Sequence, residues 1–161
     1  VTDHSYAIEL AWTGNPGQGT KNLRSYSRDH DVAGDRLPTI AASSDPAFRG
    51  DPYRWNPEQL YLSSIAQCHM LWYLSLAATS GVTVLGYEDH PTGLMIEEAD
   101  GAGQFDNVTL HPIVTISADS NALVAEELHH RVADYCFIAR SIRTPIRHIV
   151  TIKQSSPMDV R

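Results

Sequence analysis

The sequence predicts an α+β fold with segregated helices, and three observations carry that prediction. The elements run strands, helix, strands, helix, strand, with no alternating βαβ series. One long apolar segment, Leu60 to Ala78, has helical length and helical flanks. The 161 residues, 42% apolar and 19% charged, suit a single domain over 1–161 that needs neither disulfide staples nor a structural metal for stability.

The chain opens as a β-meander. Between Tyr6 and Thr20, Ile8, Leu10 and Trp12 alternate with other residues as in a half-buried strand. Gly14, Asn15, Pro16, Gly17 and Gly19 then read as a turn, because no helical pattern follows Thr20 and the phosphate-loop spacing is absent. A second strand is expected through Ser27 and a third near Ile40, followed by an irregular loop from Ser43 to Trp55. Asn56 as N-cap, Pro57 at the first helical position and Glu58 at the positive end of the dipole start a long helix. That helix runs to about Thr79, and Gly81 ends it. It is apolar on most faces, with a stripe of Ile65, Cys68, Trp72 and Leu76, so it should be central and buried.

Further antiparallel strands are expected at Val82 to Tyr87, at Gly93 to Ile96 before the Asp100-Gly101 hairpin signal, and at Val108 to Ile116. Asp119, Ser120 and Asn121 offer caps for a second long helix whose Val124, Leu128, Val132, Cys136 and Ala139 share a face. Pro145 stops it, and Ile146 to Ile152 forms the last strand.

Charge and composition exclude several classes of function. Twelve basic against nineteen acidic residues give a net charge of -7, the wrong sign for neutralising nucleic-acid phosphates or an anionic membrane. No apolar run approaches the ~20 residues of a membrane span, and no signal-like segment opens the chain. Two cysteines cannot build a secreted disulfide framework, so a reducing cytoplasm is the expected compartment. Their spacing is neither C-x-x-C nor a zinc ligand set.

Cys68 and Cys136 sit on the apolar stripes of the two helices, and both helices should pack on one sheet, bringing the sulfurs near each other. Two structural thiols are the plain reading. Thiol chemistry would need a cation beside one sulfur, since an isolated thiol is mostly protonated at neutral pH. Arg49 and Arg54 precede the first helix and Arg28 lies in the meander. Glu58 serves either as a helix-dipole residue or as the carboxylate that orients the arginine. Ten residues separate Glu58 from Cys68, ~15 Å of helical rise, so the two cannot share a site within one helix, and Glu58 would most simply arrive from a second copy of the chain.

Gly17-x-Gly19-Thr20, Asn56-Pro57-Glu58-Gln59-Leu60, Ser64-x-x-x-Cys68-His69-Met70-Leu71 and Cys136-Phe137-Ile138-Ala139-x-Ser141 resemble the OsmC/Ohr family of osmotically inducible and organic hydroperoxide resistance proteins. The stretch from Ser44 to Asp51 and the Cys-His-Met-Leu run look like its OsmC-like branch. The resemblance implies an intertwined homodimer and a thiol peroxidase that reduces organic hydroperoxides, reset by a dithiol reductant of lipoyl type. It implies Cys68 as the peroxidatic and Cys136 as the resolving cysteine, with Glu58 positioning the activating arginine across the interface. Arg49 is the arginine at the matching distance, and Arg28 is the alternative. Ala133 departs from the family, where a histidine often precedes the resolving cysteine by one turn. Met70, Leu71 and Trp72 would favour an alkyl or lipid peroxide over hydrogen peroxide.

No cofactor is expected. Among the eight histidines, His129 and His130 with Glu126 and Glu127 lack the H-E-x-x-H order, so they read as a solvated helix face rather than metal ligands. His69 points ~100° from Cys68 on a helix and reads as a core or interface residue. The rival functions are a redox-silent small-molecule-binding module on the same fold and a metal-dependent hydrolase.

Overall fold

The computed structural model describes residues 1–156. The fold is α+β, and the chain forms two compact units, residues 1–61 and 62–161.

The first unit is a three-stranded antiparallel meander, β1 (Glu9–Trp12), β2 (His30–Ala33) and β3 (Ile40–Ala42), in the order β1-β2-β3. The second strand begins at His30 rather than before Ser27: two backbone bonds, Ser27 N–H to the Gly14 carbonyl and Thr13 N–H to the Asp29 carbonyl, both 2.9 Å, lead into it, and the segment before them is held mainly by side chains. Asn15 Oδ1 accepts the backbone N–H groups of Gly17 and Gly19 at 2.9 and 2.8 Å, which leaves neither free to cradle a phosphate. Trp12 Nε1 donates to the Ser27 carbonyl at 2.9 Å and stacks edge-on against Tyr26.

The loop after β3 is tightly ordered. Asp45 caps a single 3-10 turn at Pro46–Phe48, and Ser43 N–H donates to the Trp55 carbonyl at 2.8 Å. Gly50 is obligatory here, since a Cβ would lie 1.5 Å from the Ser44 carbonyl oxygen. Arg54 ties the loop to β2, with its guanidinium 3.8 Å from Asp29, 3.7 Å from Asp31 and 3.9 Å from Asp51.

Helix α1 (Pro57–Thr79) starts with a reciprocal capping box: Gln59 N–H donates to Asn56 Oδ1 at 2.8 Å, and Asn56 N–H to Gln59 Oε1 at 3.2 Å. It stops where Gly81 takes a φ of 73°, which lets Val82 N–H close on the Ala77 carbonyl. Its buried line is Ile65, His69, Tyr73, Leu76 and Ala77, rotated from the stripe expected through Cys68 and Trp72, which are only half-buried. Leu71 remains 61% exposed, so the single chain does not bury this apolar helix on all sides.

The second unit holds two three-stranded sheets. One has β4 (Val84–Glu88), β7 (Ile113–Ile116) and β9 (Thr151–Gln154) in the order β4-β7-β9. The other has β5 (Thr92–Glu97), β6 (Gly103–Leu110) and β8 (Ile146–His148) in the order β5-β6-β8. Two runs expected as single strands are therefore each broken. Val108 to Ile116 divides at His111-Pro112, and Ile146 to Ile152 divides at Ile149-Val150. The breaks are matched: β8 pairs with β6 and β9 with β7, both in parallel rather than antiparallel, so the paired strands change sheet together. Proline contributes by withholding an N–H at the crossing.

The second helical region is also broken. Helix α2 (Ala122–Arg131), capped by Asn121, passes into a 3-10 turn at Val132–Asp134, and a five-residue helix α3 (Phe137–Ser141) follows. Cys136 is thus the N-cap of α3 rather than a mid-helix residue. The core of the unit gathers Tyr73, Leu76, Val114, Ile116, Leu128 and Val132 with Cys136.

Candidate functional site

The break between α2 and α3 places Cys136. With extended backbone at the N-cap, its sulfur accepts the Ala139 N–H at 3.4 Å and lies 2.6 Å from Cys68 Sγ, across 68 residues of sequence. The two sulfurs are in direct contact. Both cysteines are free thiols. Their exposures differ: Cys136 is 2% exposed, whereas Cys68 is half-buried and reachable. Burial pushes the Cys136 thiol up to about 11, with its hydrogen bond to Cys68 acting in the same direction, so it rests protonated.

Aromatic rings flank the pair. Trp72, one turn beyond Cys68 on α1, stacks on Tyr135 at 5.3 Å and meets Phe137 edge-on at 5.7 Å. Phe137 is 65% exposed, giving an apolar surface beside the sulfurs.

The remaining expected site residues lie in the first unit. Glu58 occupies the first turn of α1, and its Oε2 is buried with no hydrogen-bond partner among the described residues. Arg49 is exposed, caps the 3-10 turn with a φ of 66°, and makes no ion pair among the described residues. Arg28 is engaged locally, donating to the Leu23 and Tyr26 carbonyls and lying 4.2 Å over the Tyr26 ring.

The histidines correct the sequence reading. His129 is not on a solvated face: it is fully buried, and its Nδ1 lies 2.9 Å from Nε2 of His69, itself 3% exposed. The ring of Tyr73 stacks on His129 at 3.9 Å while its hydroxyl donates to the Ala125 carbonyl, and the His148 ring lies 4.5 Å from His69. Burial drives His69 and His129 down to about 3, with His148 adding to both, so the cluster is neutral at physiological pH. One imidazole donates and the other accepts, and His129 Nε2 is left buried without a hydrogen-bond partner among the described residues. A signal for His129 existed, since it falls on the same helix face as Ala125, Leu128 and Val132. His130, next in sequence, is exposed. No group of three potential metal ligands is assembled among the described residues.

A cavity of about 230 Å³ adjoins this cluster and Cys136. No helix among the described residues is long and apolar enough to cross a membrane.

Comparison with known proteins agrees with this architecture. The fold matches an OsmC-like protein of unknown function from Vibrio cholerae at a TM-score of 0.82 and 27% identity, covering 92% of this chain and 99% of that one. An organic hydroperoxide resistance protein from Elizabethkingia anophelis matches at a TM-score of 0.67 and 14% identity, covering 96% and 100%. Another from Bacillus subtilis matches at 0.59 and 17%, covering 93% and 98%. No curated protein matches the sequence. The family model described as OsmC-like protein matches residues 50–151, the stretch that carries both cysteines and the Asn56-Pro57-Glu58 helix start. The chain belongs to the OsmC-like protein family.

Proposed function

We propose that the protein is a two-cysteine peroxidase that reduces organic hydroperoxides to alcohols. The single observation supporting this reading is the 2.6 Å approach of a half-buried thiol, Cys68, to a buried one, Cys136. Cys68, being accessible, meets the peroxide; Cys136, protonated and enclosed, waits for the product of that step.

In the first step the Cys68 thiolate attacks the terminal peroxide oxygen. An S–O bond forms, the O–O bond breaks, and the alkoxide leaves as alcohol after taking a proton. Cys136 then attacks the sulfenic sulfur, the hydroxyl departs as water with the Cys136 proton, and a disulfide remains. A dithiol of lipoyl type restores both thiols and is itself oxidised to its disulfide. The apolar surface of Trp72, Tyr135 and Phe137 supports an organic substrate over hydrogen peroxide.

The activating arginine is assigned to Arg49, with Arg28 as the alternative, and Glu58 positions it across a homodimer interface. The orphaned Oε2 of Glu58 supports this role, because a guanidinium from a second copy would satisfy it. Exposed Leu10, Trp12, Leu71 and Trp55 supply apolar surface for such an interface.

Stopped-flow consumption of cumene hydroperoxide with dihydrolipoamide tests the reading. Cys68→Ser should abolish turnover while the dimer persists, and Cys136→Ser should permit one turnover and accumulate a dimedone-reactive sulfenic acid. Turnover surviving in Cys68→Ser would overturn the assignment. The redox-silent rival predicts no peroxide consumption by the unaltered protein.

A further inference from the structure

Positive charge is concentrated beside the thiol pair in a chain that is acidic overall. Between Tyr135 and Lys153 stand four of its twelve basic residues, Arg140, Arg143, Arg147 and Lys153, and none of its nineteen carboxylates. The three arginines are exposed, and none makes an ion pair among the described residues. Arg140 has only a long bond, 3.5 Å, to the Asp134 carbonyl. It lies on α3 three residues after Phe137, on the face of that turn whose ring meets Trp72 beside Cys68. Arg147 is the middle residue of β8, at the edge of its sheet. Its neighbours Ile146 and His148 line the interior cavity, so alternation turns the Arg147 side chain outward.

This band is sized for a macromolecule. Seven residues separate Arg140 from Arg147, a reach of up to ~23 Å, so a free dithiol meets at most one guanidinium at a time. Exposed charges bind weakly one by one and act together only against a surface of opposite sign. The remaining eight basic residues are outnumbered by the nineteen carboxylates, so the rest of the chain repels such a surface and contact is confined to the band. The thiol chemistry says what the contact is for. In a Cys68–Cys136 disulfide the Cys136 sulfur is enclosed, which leaves Cys68 as the sulfur open to an incoming thiolate, next to the Trp72–Phe137 contact.

We propose that Arg140, Arg143 and Arg147 form the docking surface for an acidic protein that carries the reducing dithiol and is steered by them onto Cys68. The proposal rests on the peroxidase reading for its purpose and specifies the partner rather than the reaction. Once docked, a carrier thiolate attacks Cys68 Sγ, the S–S bond breaks, and Cys136 leaves and takes a proton. The second carrier thiol, losing its proton, then attacks the first carrier sulfur and releases Cys68 as thiolate. The carrier ends as a disulfide and the pair as two thiols.

The probe is an isolated lipoyl domain of net negative charge, compared with free dihydrolipoamide. In the double variant Arg143→Glu, Arg147→Glu, KM for the reduced domain should rise about tenfold or more, with kcat and KM for free dihydrolipoamide within about twofold of the unaltered protein. The milder pair Arg143→Gln, Arg147→Gln should show the same split at smaller size. KM for the domain should also rise between about 50 and 300 mM salt, and this dependence should be lost in the Glu variant. Equal changes with both dithiols, or a KM for the domain indifferent to salt, would overturn the proposal. Docking is read without turnover by titrating the oxidised domain into Cys68→Ser, where saturable shifts of the amide resonances of residues 137–147 are expected. Their absence, or tighter binding of a DNA duplex at the same ionic strength, would overturn the docking surface whatever the peroxidase assay gives. Saturable docking by a protein that consumes no peroxide would instead overturn the peroxidase reading and leave the surface standing.

Discussion

The buried histidine pair makes stability fall in mild acid, and the size of the fall follows from the structure. His69 and His129 carry pKa values near 3 in the folded chain, against 6.5 for an unperturbed histidine. A depressed histidine binds fewer protons folded than unfolded. Stability from the neutral pair is therefore complete above about pH 7, declines as pH falls through 6.5, and stops declining only near pH 3. Between pH 8 and pH 5 each histidine forfeits about 2 kcal/mol, and the pair about 4, most steeply at the acid end. That window lies above the folded pKa values, so coupling between the two rings hardly enters. The magnitude rests on the unfolded histidines alone.

A loss of about 4 kcal/mol is large against total stabilities of ~5–15 kcal/mol. Urea unfolding at fixed protein concentration, from pH 8 to pH 5, measures it; fixed concentration matters because dimerisation would shift apparent stability. Carboxylates contribute to the same curve, so the difference between the unaltered chain and His129→Gln isolates the histidine, and this difference should change by about 2 kcal/mol across the window. Parallel curves would refute the argument. Imidazole resonances of the unaltered protein provide a second check, as a His69 or His129 signal titrating near pH 6.5 is incompatible with a neutral buried pair.

Two further expectations concern the first unit. Gly50→Ala should destabilise by about 2 kcal/mol or more, because its Cβ would meet the Ser44 carbonyl oxygen and the loop must open; limited proteolysis between residues 44 and 51 would reveal the opening, and a loss below about 0.5 kcal/mol would contradict it. Arg54→Met should destabilise by about 1 kcal/mol by leaving Asp29, Asp31 and Asp51 to repel one another, and the difference should shrink in 1 M salt; a salt-independent loss would point to packing instead.

What could be read from the sequence was what local chemistry decides. Asn56, Pro57 and Gln59 start α1 through contacts within one turn, and Gly81 ends it through its own backbone, so both ends were legible. The broken strands were not. Hydrophobic alternation continues through His111-Pro112, while the change of sheet is set by β8 and β9, more than thirty residues away. Helical periodicity likewise runs past Cys136, although α2 ends at Arg131, a 3-10 turn carries the chain to Asp134, and a helix restarts only at Phe137. His129 was misread for a related reason. Its neighbours Glu126, Glu127 and His130 are polar, and the partner that makes it a core residue is 60 residues distant.

The α2–α3 break and the histidine pair together explain how one turn of α1 serves two environments. Cys68 and His69 are consecutive, so their side chains diverge by ~100°. One reaches the sulfur of Cys136 and the other the imidazole of His129. Cys136 stands between these environments, touching Cys68 on one side and lining the cavity shared by His69 and His148. Had α2 continued unbroken through Cys136, its sulfur would have lost the Ala139 N–H it accepts as an N-cap, and the backbone freedom to shift toward Cys68 would have been that of a helix interior. An interrupted helix is therefore the feature on which the thiol pair depends. A variant that repairs the interruption should separate the sulfurs without disturbing His69 and His129.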